Sequence, residues 1–273
     1  MIKKIVIPAA GLGSRLLPMT KEIPKEMMPI FLKNSQGKIA VKPLIQALFE
    51  EFFQAGLREY CIIVGRQKRA IEDHFTIDQN LVQSLSPKNS ARKDLHRFYD
   101  MINASKIFWI NQQKPQGFGD AVLYAESFVG EDEFLVSAGD TLIPNNHKVM
   151  KKLLKSPLMG KNDATLILKE VEDPKRFGVA VVNKSKDGLI VKDVEEKPLR
   201  PKSNLSIVAL YRFKPSIFSA LREARQRKGE LQLTDAIQKL IQRGGTVNAI
   251  LINKDDKVMD VGTAESYLET VSL

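Results

Sequence analysis

The segment most suited to chemistry is Ala9-Ala10-Gly11-Leu12-Gly13-Ser14-Arg15, entered from the apolar run Ile5-Val6-Ile7. A strand that feeds straight into glycines brings backbone N–H groups close to an anion, because glycine has no Cβ to hold a ligand away. Arg15 adds a guanidinium able to grip phosphate oxygens in pairs. The loop departs from both common phosphate templates. G-x-G-x-x-G would need glycine at Leu16, and G-x-x-x-x-G-K-[ST] would need Gly-Lys at Leu16 and Leu17. On this ground alone it suits a phosphate site and a plain strand-to-helix turn equally. A second segment, Val136-Ser137-Ala138-Gly139-Asp140, ends a buried strand on a carboxylate, which either enters a ligand cleft or serves a turn. The three histidines, His74, His96 and His147, stand in no motif, which argues against nucleophile–base chemistry.

The elements that would carry these residues alternate. Residues 43–55 have a helical apolar pattern closed by Gly56, 59–64 read as a strand, and 67–75 as a helix. Strands are expected at 106–110 and 133–137, with a helix at 119–128 between them. Such a βαβ series argues for a parallel sheet with right-handed crossovers, whose ligands bind at the carboxyl ends of strands. The loops after Ile7, Ile110 and Val136 all lie at that end. Residues 79–103 read as a polar helical excursion, a solvated insertion or a subunit contact, and 32–41 as an irregular insertion. The second half is richer in strands, at 164–170, 178–182, 189–194, 206–213 and 246–252, with helices at 217–227, 233–242 and 264–271. No repeat, low-complexity tract or linker interrupts it.

Past the glycine loop, Lys21-Glu22-Ile23-Pro24-Lys25-Glu26-Met27-Met28-Pro29 has two lysines, two prolines and no periodicity. The whole stretch from Val6, V-I-P-A-A-G-L-G-S-R-L-L-P-M-T-K-E-I-P-K-E-M-M-P, resembles the nucleotide signature of the sugar-1-phosphate nucleotidyltransferases. The likeness runs from residue 2 to about residue 265. It implies an α/β, Rossmann-like nucleotidyltransferase fold: a mixed, mostly parallel central sheet flanked by helices, with a β-rich sugar-binding part. One domain is expected over 1–273, with a nucleotide-binding half (1–150) and a sugar-phosphate-binding half (151–273). The I-P-K-E-M form is similar to the uridylyl-transferring branch, which implies UTP and glucose 1-phosphate as substrates. Thymidylyl transfer on the same fold is the nearest rival. The family also implies a homo-oligomer, a dimer or a tetramer.

The resemblance assigns roles residue by residue. Arg15, Lys25 and Lys197 (in Val194-Glu195-Glu196-Lys197-Pro198) are the catalytic cations. Asp140 and Asp260 (in Met259-Asp260-Val261-Gly262) are the carboxylates for Mg²⁺, although Val261 and Thr263 depart from the usual Cys and Asn. Ala10, Gly11 and Gly13 line the nucleotide. Gln112 reads the base, with Gln113 as competitor, and Gly117 lets backbone approach it; Asp120 stands where the family usually has histidine. Gly178, Glu196 and Asn204 belong to the sugar. Lys21 matches a family position and is read as structural. Gly229-Glu230-Leu231-Gln232-Leu233-Thr234-Asp235-Ala236 is also similar to a family motif, and its Thr234-Asp235 is read as a helix cap.

Composition narrows the alternatives. The chain has 273 residues, 43% hydrophobic and 27% charged, an ordinary globular balance. Its net charge of +10 is spread along the chain, with short clusters such as Arg66-Lys68-Arg69 and Arg225-Arg227-Lys228, and aromatics are 7%. No nucleic-acid module is visible, so the charge suits polyanionic small molecules better than nucleic acid. A non-catalytic basic binding protein is the alternative from another class. The lone Cys61 lies in an apolar run and reads as an inert core thiol. Met1-Ile2-Lys3-Lys4 imitates a signal-peptide start, but the following apolar segment is too short, and no run approaches the roughly 18 residues needed to cross a bilayer. A cytoplasmic protein without a membrane partner is expected.

Overall fold

The structure is a computed structural model and describes residues 2–33, 37–86, 88–144, 147–155, 162–186, 188–225 and 229–272. Strand β1 (Lys4–Pro8) is apolar and buried from Ile5 onward, as suits a strand inside a parallel sheet covered on both faces. Its alternation divides the interior: Ile5 and Ile7 enter one core, Val6 the other. Three short 3-10 turns follow, over Ser14–Leu16, Met19–Lys21 and Lys25–Met27.

Next comes an antiparallel hairpin of β2 (Pro29–Lys33) and β3 (Ile39–Pro43), in register from Pro29–Pro43 to Lys33–Ile39. This corrects the expectation of an irregular segment at 32–41, of which 34–36 lie outside the described residues. The alternation is hidden because Ile30 alone is sealed in the core, while Phe31, Ile39 and Val41 are exposed. The helix Leu44–Gln54 then buries Ile45, Leu48, Phe49 and Phe52 against β1, and Gly56 leaves it with φ +98°.

Strands β4 (Glu59–Val64), β5 (Lys106–Asn111) and β6 (Phe134–Ser137) lie parallel to β1 in the order β5-β4-β1-β6. Tyr60 and Ile62 enter the first core, Cys61 and Ile63 the second. The polar excursion is helical, as Gln79–Ser84 and Ser90–Asn103, capped by the Asp78 and Asn89 side chains. Its inner face is not solvated: Val82, Phe98, Tyr99 and Met101 join the first core. The helix expected at 119–128 is two pieces, Phe118–Leu123 and Glu126–Val129.

After β6 the chain makes the two-residue strand β7 (Thr141–Leu142) and the helix His147–Lys155. The remaining strands are β8 (Asn162–Glu170), β9 (Gly178–Ser185), β10 (Gly188–Glu196), β11 (Leu205–Phe213), β12 (Thr246–Leu251) and β13 (Met259–Asp260). β11 pairs antiparallel with β6, so one nine-stranded sheet, β5-β4-β1-β6-β11-β8-β12-β10-β9, runs through both halves. Helices Ser216–Ala224 and Leu233–Gln242 cover its second half; residues 226 and 227, expected to end the former, lie outside the described residues. The closing helix Ala264–Val271 starts at a capping box between Thr263 and Ser266. Among the described residues no helix is long and apolar enough to cross a membrane.

Candidate active site

The glycine loop leaves β1 at the carboxyl end of the parallel strands. Gly13 takes φ +65°, a left-handed conformation costly for a side chain, and the Thr20 hydroxyl donates to its carbonyl at 2.7 Å. Together these swing Arg15, on the first 3-10 turn, out over the cleft. Ala10 is buried at the loop's root, and Gly11 stands beside Lys25: a Cβ there would lie 3.8 Å from Lys25 Nζ.

Lys25 occupies the turn between Pro24 and β2. The next residue, Glu26, points inward and accepts from Lys68 Nζ at 2.7 Å, an ion pair almost sealed from solvent. Lys25 itself points the other way and forms an ion pair with Asp140. Burial alone would lower the Lys25 pKa, but Asp140 and Glu26 outweigh it and hold the ammonium above its ordinary value. Gly139 allows this approach, since a Cβ on it would stand 3.1 Å from the Pro8 carbonyl and 3.2 Å from Glu26 Cγ.

Asp140 and Asp260 are brought together by backbone. Asp260 pairs with Thr141 in the β7–β13 ladder, and the Val261 N–H donates to the Asp140 carbonyl at 2.9 Å. Gly262 leaves room for the carboxylate; a Cβ there would stand 2.7 Å from Asp260 Oδ2. Burial, and then the charge of Asp140, raise the Asp260 pKa above the ordinary carboxylate range, against the pull of Lys25. Two mutually repelling carboxylates with oxygen donors are a fitting seat for a hard divalent cation such as Mg²⁺, which takes one or two carboxylates and completes its shell with phosphate and water.

On the far side, Glu196 ends β10 and accepts from the Thr234 hydroxyl at 3.0 Å. Gly178 opens the floor between them: a Cβ would stand 2.9 Å from Thr234 Cγ2 and 3.1 Å from Glu196 Oε2. Lys197 follows with φ +43°, rare for a side chain, and its N–H donates to the Phe177 carbonyl at 3.0 Å. At the opposite end, Gln112 is buried and its Nε2 donates to Asp120 Oδ2 at 2.6 Å. Gln113 is exposed, so Gln112 is the glutamine that reaches the cleft.

These residues surround two joined cavities. The larger, about 590 Å³, is lined by Phe177, Gly178, Glu196, Thr234, Thr141 and Asp260. The smaller, about 350 Å³, is lined by Ala10, Gly11, Gly13, Lys25, Gln112 and Gly117. Arg15, Asp140 and Lys197 line both. One charged cluster thus separates and serves two ligand spaces.

Three expectations, for Asn204, Thr234 and Lys21, need adjustment. Asn204 does not join the others: it is exposed and donates to Glu170 Oε1 at 2.8 Å, outside both cavities. Gly117 keeps its place on the wall of the smaller cavity, and its φ of +112° also serves packing, since a Cβ would run into the backbone of Leu231. Thr234 is not a cap; the helix Leu233–Gln242 begins at Gln232 with no side-chain cap, and Thr234 faces the larger cavity instead. Lys21 is solvent-exposed, 3.6 Å from Glu22. Thr234, Glu26, Lys68 and Asp120 were all missed as site-builders. For Thr234 a signal exists, the G-E-x-Q-L-T-D-A segment, as it does for Asp120 in its departure from the usual histidine and for Glu26 inside I-P-K-E-M; Lys68 acts through a contact with the distant Glu26 and leaves none.

The sequence model described as nucleotidyl transferase matches residues 4–272. The chain is 41% identical over 246 residues to the UTP--glucose-1-phosphate uridylyltransferase of Mycoplasma genitalium, covering 86% of this chain and 80% of that protein. It is 36% identical over 280 residues to the enzyme of the same name from Bacillus subtilis, covering 98% and 89%. A crystal structure of UDP-glucose pyrophosphorylase complexed with UDP-glucose is similar with a TM-score of 0.81 at 31% identity, covering 99% of this chain and 97% of that one.

Proposed function

The chain belongs to the nucleotidyl transferase family, and on that footing we propose that it transfers a uridylyl group from UTP to glucose 1-phosphate, giving UDP-glucose and pyrophosphate. The observation that carries this reading is the shared wall of the two cavities, where Arg15, Asp140 and Lys197 face both. A nucleoside triphosphate in one space and a sugar phosphate in the other would meet there.

The nucleophile, a sugar phosphate oxygen, is already ionised, so no general base is needed. That oxygen bonds to the α-phosphorus of UTP. The bond from the same phosphorus to the oxygen shared with the β-phosphate breaks, and pyrophosphate leaves with the electron pair. The obstacle is bringing two polyanions together and holding the charge that builds on the α-phosphate. Lys25, kept protonated by its acidic neighbours, sits on the nucleotide side. Arg15 reaches over the phosphates from the exposed loop, and Lys197 neutralises the sugar phosphate. Glu196 accepts sugar hydroxyls, with Thr234 fixing its carboxylate. Asp140 and Asp260 would hold a Mg²⁺ ion, which would supply positive charge against the repulsion of the phosphates.

The test is pyrophosphate release across UTP, dTTP, CTP, ATP and GTP, each with glucose, galactose and mannose 1-phosphates. UTP with glucose 1-phosphate is expected to be the best pair. Preference for dTTP would replace the uridylyl reading, and no release with any pair would leave a binding protein.

A further inference from the structure

Gln112 lines the smaller cavity and not the larger, and the buried Asp120 behind it makes a fixed pair with it. The Gln112 backbone N–H donates to the Val64 carbonyl at 2.8 Å, which pins the residue at the end of β5. Its amide Nε2 donates to Asp120 Oδ2 at 2.6 Å. Asp120 is 0% exposed, in the first turn of the helix Phe118–Leu123. Arg225 Nη2 lies 3.2 Å from its other oxygen and supplies a countercharge.

A carboxylate accepts hydrogen bonds and cannot return them. A half-turn of the Gln112 amide would set Oε1 against Asp120 Oδ2, oxygen on oxygen, in a buried place where an unpaired contact is costly. Asp120 therefore fixes which end of the amide is which. Nε2 is bound to it and keeps a second proton, while Oε1 takes no hydrogen bond from any described side chain or backbone group.

Building on the uridylyl reading above, we infer that Asp120 is a positioning residue for base selection. By locking the Gln112 amide, it makes the site require a ring N–H donor. Uracil meets that demand: N3–H donates to Oε1, and a flanking carbonyl accepts the second Nε2 proton. Cytosine presents the reverse, an acceptor at N3 beside an amino donor. A flipped amide would match cytosine, and Asp120 forbids the flip.

The test compares Asp120→Asn with wild-type protein, using kcat/KM for UTP and CTP at saturating glucose 1-phosphate. An asparagine can donate as well as accept, so the amide is free to turn with no change in side-chain size. The UTP-to-CTP ratio is expected to fall about tenfold or more, with the loss in KM rather than kcat. Asp120→Ser, smaller and uncharged, gives the same reading if the asparagine variant does not fold. A folded variant that keeps the wild-type ratio would overturn the inference. Should the wild-type protein release no pyrophosphate from any nucleotide, the uridylyl reading falls but the lock is still tested, by equilibrium binding of UMP and CMP. Wild-type preference for UMP that vanishes in Asp120→Asn supports the lock, and a preference that is absent or unaltered overturns it.

Discussion

Lys68 Nζ lies 2.7 Å from Glu26 Oε2, and the two side chains, 6% and 1% exposed, are all but closed off from water. The pair ties the helix Arg69–His74 to the turn whose neighbouring residue is Lys25. Burial drives the Glu26 pKa up, and Lys68 and then Lys25 draw it back. Removing one partner leaves a buried charge unpaired. Lys68→Met should cost about 3–5 kcal/mol in urea unfolding, while Lys68→Met with Glu26→Leu should recover most of it. Turnover should remain low in both, because the anchor of Lys25 is gone. If the double variant regains full kcat, the pair has no part in placing Lys25.

The carboxylates Asp140 and Asp260 are expected to act through one ion. Asp140→Asn and Asp260→Asn should each lower kcat by about two orders of magnitude or more, and the double variant should lose little beyond either single one. Isothermal titration of Mg²⁺ provides a second reading that does not depend on turnover, and should show weakened binding in all three. Fully additive losses in kcat would mean that the two carboxylates act separately.

Glu196 and Thr234 should share one function as well. Glu196→Ala is expected to narrow discrimination between glucose and galactose 1-phosphates while nearly sparing KM for UTP. Thr234→Val, which removes the hydroxyl that donates to Glu196, should do the same more weakly, by about 1 kcal/mol. Unchanged sugar discrimination in Glu196→Ala would take that residue out of the sugar site.

His74 packs against Phe75 and Phe98, with Nε2 3.0 Å from Gln46 Oε1. Burial lowers its pKa below the ordinary 6.5, with Glu50 opposing. The native protein therefore holds this proton less readily than the unfolded chain. The stability linked to the neutral ring is complete above the unfolded value and is lost as pH falls through 6.5 toward the depressed folded value. The melting temperature should decline on acidification across this window, and His74→Gln should flatten the decline. Parallel curves for the two proteins would contradict the assignment.

Legibility in the sequence followed how local each signal was. Continuous apolar runs revealed β1 and β4, and helical spacing closed by Gly56 revealed the helix Leu44–Gln54. The closing helix announced itself through its apolar spacing. The hairpin of β2 and β3 was hidden because most of its hydrophobic residues face solvent. The same distinction holds in the site. Arg15, Lys25, Asp140, Gln112, Glu196 and Lys197 stand in local motifs and line the two cavities, whereas the Thr234–Glu196, Lys68–Glu26 and Gln112–Asp120 contacts depend on the folded chain. Asn204, in a motif beside the sugar strands, turned out to serve the outer edge through Glu170. Cys61 is as inert as its apolar run implied: it is buried and its thiol is pushed up to about 12.

The most direct measurement follows the atoms of the transfer. Glucose 1-phosphate carrying ¹⁸O in its non-bridging phosphate oxygens is mixed with unlabelled UTP and the protein, and the products are followed by ³¹P NMR. Attack by the sugar phosphate on the α-phosphorus predicts that all the label enters UDP-glucose, including the oxygen that bridges its two phosphorus atoms, and that pyrophosphate appears unlabelled only when both substrates are present. Label in the pyrophosphate, or pyrophosphate released without the sugar phosphate, would contradict the account.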